Sequence, residues 1–337
     1  ISGPTLVFPP PGPKPALYFF DHTNPLDQVL ARHLTPELSQ HRAFGPDGEQ
    51  GFEAYHLPGS WEGAEHTFAV PEQPASGNLG GVLSLLGYDL NRNARSGEAL
   101  DVTLYWRVEQ PVAQDDWTFF AHLVDERGFR WGGETFFYYP SAQWMPGEVL
   151  LFRQQIQIDP GAPPGVYPLA VGAFSPSLDT RLPVLDDNGQ LAGTRLHLGP
   201  FDVARAAAPP EHLPAMQRSL DAPFGDALTL LGSDRDRGDL RPGETLALTL
   251  HWQLHTPTKE RYDVRIWLEK LDAAEDRLTL LWQGDPVQGR YPFRLWHPPE
   301  YVRDRYALRV PLETPPGDYD LRVALRPAKV ARTKGPV

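Results

Sequence analysis

The stretch GSDRDRGD places Asp234, Asp236 and Asp239 on one short turn, and an earlier turn carries Asp89, Asn91 and Asn93. Alternating carboxylate and amide oxygens are what calcium uses, since the ion takes six to eight hard oxygen ligands. The spacing departs from a calcium loop, however: no bidentate glutamate follows at the required distance, and arginines intervene. Asp and Asn also hold ordinary turns by bonding their own backbone. Asp234, Asp236 and Asp239 are therefore calcium candidates by residue type, and a plain turn is the expected reading.

Aromatic side chains are the second chemical resource. Trp117, Trp131, Trp282 and the run Phe136, Phe137, Tyr138, Tyr139 occur once each. On a strand, alternation sends Phe137 and Tyr139 to one face and Phe136 and Tyr138 to the other. One of those faces is expected in a core; the other is free to stack on a sugar or to cover a neighbouring domain. Trp117, Trp131, Phe136, Tyr138 and Trp282 are thus the candidate carbohydrate or partner contacts. Trp106 with Trp252, and Trp144 with Trp296, recur at matching places in a repeat and read as core pillars instead.

Nothing points to catalysis. The 11 histidines form neither HxH nor HExxH. His251 alternates with the apolar residues of its strand and is expected to face solvent or another domain. A Gly-x-Ser-x-Gly elbow and a phosphate-binding glycine loop are both missing from the sequence. Carboxylates are plentiful, but no glycosidase pair can be picked without a fold to set the separation. The reading is no catalytic residue, no cofactor and no enzyme.

The elements that must position these residues follow from composition. The chain has 337 residues, 37 prolines and 30 glycines, a load that favours short strands and turns over helices. A net charge of −12 argues against nucleic acid, which needs clustered cations. Cysteine is absent from the sequence, so disulfides and thiolate metal sites are excluded. No apolar run approaches the roughly 20 residues of a membrane span, and no N-terminal signal pattern is visible. The start at Ile1, without methionine, reads as a processed product or a fragment of something longer. Twenty-six arginines against five lysines, with abundant proline, suggest a thermophilic source.

The chain repeats itself. LLGYDLNRNARSGEALDVTLYW (85–106) aligns with LLGSDRDRGDLRPGETLALTLHW (230–252), with one residue inserted. SAQWMPGEVLLFRQQIQI (141–158) matches FRLWHPPEYVRDRYALRV (293–310), and PPGVYPLAVGAF (163–174) matches PPGDYDLRVALR (315–326). Leu100, Val102 and Leu104 alternate with polar residues, as do Tyr167, Leu169 and Val171 and then Tyr319, Leu321 and Val323, which is the period of half-buried strands. About seven strands per copy are expected, at 81–90, 98–109, 116–125, 129–138, 149–158, 166–174 and 192–204 in the first. The predicted fold is mainly β: two tandem immunoglobulin-like antiparallel sandwiches at 81–204 and 226–337, preceded by a small α/β segment at 1–60. Residues 61–80 and 205–225, rich in Pro, Ala and Gly, read as linkers. In the α/β segment ALYFF (16–20) and GFEAYHL (51–57) are strands. Asn24-Pro25 begins a helix with Leu26, Val29 and Leu30 on one face. LDDNGQ (185–190) is a hairpin turn.

The phrases LLGYDL…SGEALDVTLYWRV, AHLVDERG, QWMPGEV and PPGVYPLAVGAF resemble the C-terminal extracytoplasmic regions of large Chloroflexi-type membrane proteins. Those proteins are similar to dolichyl-phosphate-mannose mannosyltransferases. The resemblance covers 81–204 and 226–326 and implies an outside location and an accessory role. The acidic pair of such transferases has no counterpart here, so no catalytic residue carries over. The expected function is a non-catalytic structural or binding module of a bacterial surface or membrane-anchored protein. Two rivals stand beside it: the appended domain of a membrane glycosyltransferase contacting its glycan acceptor, and a subunit of an extracellular filament or surface layer. The expected partners are proteins, or a second copy at a sheet edge, and a glycan; a membrane enters only through parts outside this chain.

The second copy stops early. After DYDLRVALRP (318–327) only AKVARTKGPV remains, so the hairpin is missing and the closing strand is shortened or absent. An uncovered sheet edge is a template for strand addition. Either 328–336 substitutes, or another chain fills the gap, with TLVF (5–8) as the candidate donor of a head-to-tail filament.

Overall fold

Alternating apolar residues, cut at short intervals by proline and glycine, give the described residues of this chain strands and almost nothing else. The computed structural model describes residues 5–21, 31, 33–34, 39–59, 68–90, 94–113, 116–136, 139–258, 261–271 and 278–327. The strands are β1 (Thr5–Phe8), β2 (Ala16–Asp21), β3 (Ser39–Phe44), β4 (Gln50–Leu57), β5 (Gln73–Leu79), β6 (Leu83–Leu90), β7 (Ala94–Arg95) and β8 (Ala99–Val108). They continue with β9 (Thr118–Val124), β10 (Arg130–Phe136), β11 (Val149–Gln157), β12 (Gly165–Ser175), β13 (Thr180–Arg181), β14 (Val184–Leu185), β15 (Leu191–Gly193) and β16 (Leu196–Ala204). The rest are β17 (Arg218–Phe224), β18 (Leu228–Arg235), β19 (Thr245–Leu254), β20 (Tyr262–Lys270), β21 (Leu278–Gly284), β22 (Glu300–Arg309) and β23 (Tyr319–Pro327). The protein is mainly β, with antiparallel sheets in a sandwich architecture.

The chain divides into two compact units. The first comprises Ile1–Ala94, Ala99–Ile158 and Val166–Val203; the second comprises Arg95–Glu98, Asp159–Gly165 and Ala204–Val337. In the first, the sheet β1-β11-β8-β6-β5-β14-β15 is accompanied by β10-β9-β12-β16-β7, with β13 added beside β12. In the second, β17-β18-β19-β22 is accompanied by β21-β20-β23. The order β5-β6-β8-β11 is thus repeated as β17-β18-β19-β22, and β10-β9-β12 as β21-β20-β23. The duplication seen in sequence is a duplication of topology.

Both cores are built on the repeated tryptophans. Trp106 and Trp252 are fully buried, and Trp144 and Trp296 nearly so. Phe119 on β9 lies 5.7 Å from the Trp106 ring and 4.2 Å from that of Phe152 on β11, which ties one sheet to the other. Truncating a pillar of this kind to alanine costs about 3–5 kcal/mol. Tyr167 is buried as its alternation predicts, but its counterpart Tyr319 is only half-buried. The reason is position: β12 lies between β9 and β16, whereas among the described residues β23 is the edge of its sheet, and Tyr319 donates its hydroxyl to the Pro315 carbonyl at 2.6 Å.

Each sandwich carries the same irregularity. The β6–β8 register shifts between Leu85 and Gly87, and the β18–β19 register between Leu230 and Gly232. A Cβ on Gly87 would sit 2.4 Å from the Gln73 carbonyl oxygen, and one on Gly232 2.5 Å from that of Arg218. Only glycine lets the neighbouring strand pass this close. Those neighbours are β5 and β17, which lie inside the segments that composition assigned to linkers. Pro74 and Pro223 obscure them; β17 is an edge strand, where a missing N–H costs no ladder bond.

The N-terminal segment supplies the three-stranded sheet β2-β4-β3. Leu6, Phe8, Phe20, Tyr55, Leu57 and Phe68 bury themselves with Tyr105, Val149 and Leu151 of the first sandwich in one apolar cluster. The helix expected from Asn24-Pro25, with Leu26, Val29 and Leu30, lies outside the described residues. TLVF is not an open donor. As β1 it pairs with β11 of its own chain, Thr5 opposite Phe152 and Phe8 opposite Val149, because Leu6 and Phe8 belong to that cluster. Residues 328–337 lie outside the described residues. Among the described ones, β23 pairs with β20, and neither the LDDNGQ hairpin nor β16 has a counterpart in the second unit.

Candidate functional site

The predicted aromatic contacts are largely core residues. Trp131 is fully buried and donates its indole N–H to Asp125 Oδ2 at 3.1 Å. Asp125 also accepts the backbone N–H groups of Arg127 and Phe129, so the tryptophan helps close the β9–β10 turn. Trp117 is buried. Trp282 is half-buried, its ring centroid 5.7 Å from that of Tyr306, and it packs on the second core. Tyr138 and the side chain of Phe136 lie outside the described residues. Tyr139 is buried and gives its hydroxyl to Glu148, an inward use that strand alternation alone left open.

The calcium candidates also part company. Asp236 accepts the Ala247 N–H at 2.9 Å and Arg237 Nε at 3.1 Å. Asp239 is exposed. Among the described residues no group of three or more His, Asp or Glu side chains is placed to hold a metal ion. Asn91 and Asn93 lie outside them.

Asp234 belongs instead to the most concentrated polar constellation of the second unit. It stands on β18, His251 on β19, and Tyr301, Arg303 and Arg305 on β22; register sets His251 opposite Gly232 and Arg303. Asp234 Oδ1 accepts the Gln217 N–H at 2.8 Å, and Oδ2 lies 2.8 Å from His251 Nε2. His251 Nδ1 lies 2.7 Å from the Tyr301 hydroxyl. Arg303 reaches Asp234 at 3.7 Å and pairs more tightly with Asp159, which Arg305 also contacts at 3.0 Å. The Arg303 N–H donates to the Gly161 carbonyl at 2.9 Å, so residues 159–161 lie along the outer edge of this face. His251 sits on the non-core side, as alternation predicts, yet none of it is exposed.

Charge follows from burial. Burial pushes His251 below its ordinary pKa, against Asp234, which pulls it up. The close His251–Asp234 contact is therefore a neutral imidazole donating Nε2–H to a carboxylate, with Tyr301 O–H donating to Nδ1; this tautomer satisfies every partner. Burial raises Asp234, but the Gln217 N–H, His251 and Arg303 outweigh it and hold the acid below the usual carboxylate range. A general base needs a free lone pair aimed at substrate. Both ring nitrogens of His251 are occupied by protein.

The first unit holds the same device with different atoms. Asp89 Oδ1 accepts the Glu72 N–H at 2.6 Å, as Asp234 accepts that of Gln217, each from 17 residues upstream. Asp89 Oδ2 takes the Tyr105 hydroxyl, where Asp234 takes His251. Tyr105 is buried in the apolar cluster made with the N-terminal segment, and burial drives its hydroxyl pKa upward.

A second pair of buried acids repeats too. Glu148 accepts the Tyr139 hydroxyl at 3.3 Å and the Met145 N–H at 3.0 Å. Glu300 accepts the Tyr291 hydroxyl at 2.8 Å and the His297 N–H at 2.5 Å. Burial raises Glu148, and it and the nearby carboxylate push Tyr139 up to about 12. Asp304, fully buried in the second core, accepts Val287 N–H at 2.7 Å, Tyr306 O–H at 2.5 Å and Trp252 N–H at 3.3 Å. Burial lifts it to about 7. The signal that would have revealed the Glu pair is the shared spacing Tyr139, Trp144, Glu148 and Tyr291, Trp296, Glu300. All of these acids spend their lone pairs on the fold.

Comparison with known proteins adds no function: no family model and no curated protein sequence matches the chain.

Proposed function

We propose that this chain is a non-catalytic, extracytoplasmic structural and binding module of a bacterial surface or membrane-anchored protein, built on a duplicated sandwich of immunoglobulin-like type. The observation that carries the reading is the internal use of its reactive groups. His251, Asp234, Glu148, Glu300 and Asp304 each bond backbone or side chains of the same unit, and serve to lock strand to strand. The resemblance of the repeated blocks to extracytoplasmic regions supports the outside location. Among the described residues no helix is long and apolar enough to cross a membrane.

Protease shaving of intact cells of the source bacterium, followed by immunodetection of this chain, tests the location. The expected result is loss of the chain while a cytosolic marker survives. Protection of the chain until lysis would sink the reading.

A further inference from the structure

One face of the β9-β12-β16 sheet gathers three arginines and two histidines, in a chain whose net charge is −12. His122 stands on β9, Arg130 opens β10, Arg181 lies on β13, Arg195 directly precedes β16, and His197 follows on it. Register sets the floor beneath them: Phe120 lies opposite Gly172, and His122 opposite Ala170 and Gly133. A Cβ at position 172 would fall 2.6 Å from the Phe120 ring, so the ring lies down over that glycine. Arg181 rests on the ring, its guanidinium carbon 4.8 Å from the centroid, and the His122 ring lies 5.1 Å from the same centroid. A guanidinium seated on an aromatic face keeps its N–H edge free to meet an anion.

Among the described residues no carboxylate pairs with Arg181 or Arg195, and the charge that acts on Arg181 is the other guanidinium. Burial, then Arg130, Arg181 and Arg195, push His122 down to about 4. Its Nε2 is sealed from solvent without a hydrogen-bond partner. Like charges gathered this way repel, and an orphaned buried polar atom costs free energy until a ligand meets it. Among its described residues the second unit lacks the arrangement. Counting from Ala121 opposite Val171 and Ile266 opposite Val323, Arg265 and Trp267 stand where Phe120 and His122 do. Arg322 on that sheet is matched by Glu269 at 2.6 Å and Asp320 at 3.1 Å.

We propose that this face of the first sandwich is an oxyanion-binding site for a carboxylate- or phosphate-bearing ligand, with Arg181 and Arg195 as charged donors and His122 Nε2 as a third polar contact. The segment between β12 and β16, which has no described counterpart in the second unit, delivers both arginines. Charge-assisted bonds from a guanidinium to an oxyanion are the strong class, and planar two-point contact favours carboxylate and phosphate over chloride.

The test titrates the full chain with sodium glucuronate and, separately, with inorganic phosphate, against sodium chloride at matched ionic strength. Calorimetry reads affinity, and NMR reads the His122 ring. At least one oxyanion should bind saturably and raise the His122 protonation midpoint. Arg181→Ala and Arg195→Gln should each weaken binding about tenfold or more, the range for a hydrogen bond to a charged group, while Arg322→Ala should not. Thermal unfolding checks that each variant is folded; Arg181→Gln replaces Arg181→Ala if the latter is not. Glucuronate binding alone identifies a carboxylate ligand, and phosphate binding alone a phosphate ligand. Binding of neither beyond the chloride control, or unchanged affinity in the folded arginine variants, would overturn the proposal.

Discussion

Glu148 and Glu300 hold the same place in the two sandwiches: each accepts a tyrosine hydroxyl from nine residues upstream and a backbone N–H from three residues upstream. The short 3-10 turns Ser141–Gln143 and Phe293–Leu295 lie between tyrosine and glutamate, so the acid fastens the crossing into β11 or β22. Replacing either by alanine leaves a backbone amide without its acceptor and leaves the tyrosine hydroxyl only the Gln143 or Leu295 carbonyl. The expected cost is about 2–3 kcal/mol, read as a lower urea midpoint, with glutamine recovering part of it. An alanine variant as stable as the unaltered chain would show the contacts to be incidental.

Asp304 should make the second sandwich sensitive to base. Its folded pKa of about 7 lies above the ordinary 3.8, so the folded state holds a proton that the unfolded chain releases. That contribution is complete below pH 3.8 and is lost as pH rises through about 7. The stability difference between the unaltered chain and Asp304→Asn should therefore change between pH 4 and pH 8, with the unaltered chain losing ground as pH climbs. Asp304→Ala orphans three donors and should cost about 3 kcal/mol or more at any pH in that window.

His251 should act in the opposite direction. Burial holds its folded pKa below 6.5, so its contribution is present above the unfolded value and is lost as pH falls through the folded one. NMR titration should show the His251 ring protonating at lower pH than the histidine of an unstructured peptide. Asp234→Asn should move that midpoint lower still, since it removes the carboxylate that opposes burial. An upward movement would contradict the assigned charge state.

Calcium should leave the unfolding temperature where it is. A ligand that binds only the native state must raise stability, and Asp234 already spends its oxygens on Gln217, His251 and Arg303. A calcium-dependent, chelator-reversible rise in unfolding temperature would restore the metal reading of Asp234, Asp236 and Asp239.

The repeat was legible because Trp106 and Trp252 close strands of the same period, and period is a local property. β5 and β17 were not, since Pro74 and Pro223 carry a turn signal that only the neighbouring strand overrides. The His251 constellation was half legible: alternation put the imidazole on the non-core face, but its partners come from β18, β22 and residues near 159, which no spacing connects. Trp131 was misleading for the opposite reason. A solitary tryptophan beside a turn looks available until Asp125, six residues upstream, is seen to hold its N–H.

The register shift at Leu85/Gly87 and Leu230/Gly232 has a consequence for how this protein can evolve. Each extra residue reverses the alternation downstream of it, so that Asp89 pairs with Thr103 and Asp234 with Thr249, on the side away from the core. With the same residues and no shift, Asp89 would fall opposite Val102 and Asp234 opposite Leu248, among the core residues, where an unpaired charge is intolerable. Insertion of one residue between the shift and the acid would turn the carboxylate inward, whereas deletion of the extra residue, Leu86 or Leu231, leaves its pairing unchanged; the residue facing the acid can differ so long as it bonds the carboxylate. That asymmetry is visible between the two copies: the frame has been kept, while its partner has drifted from tyrosine at 105 to histidine at 251.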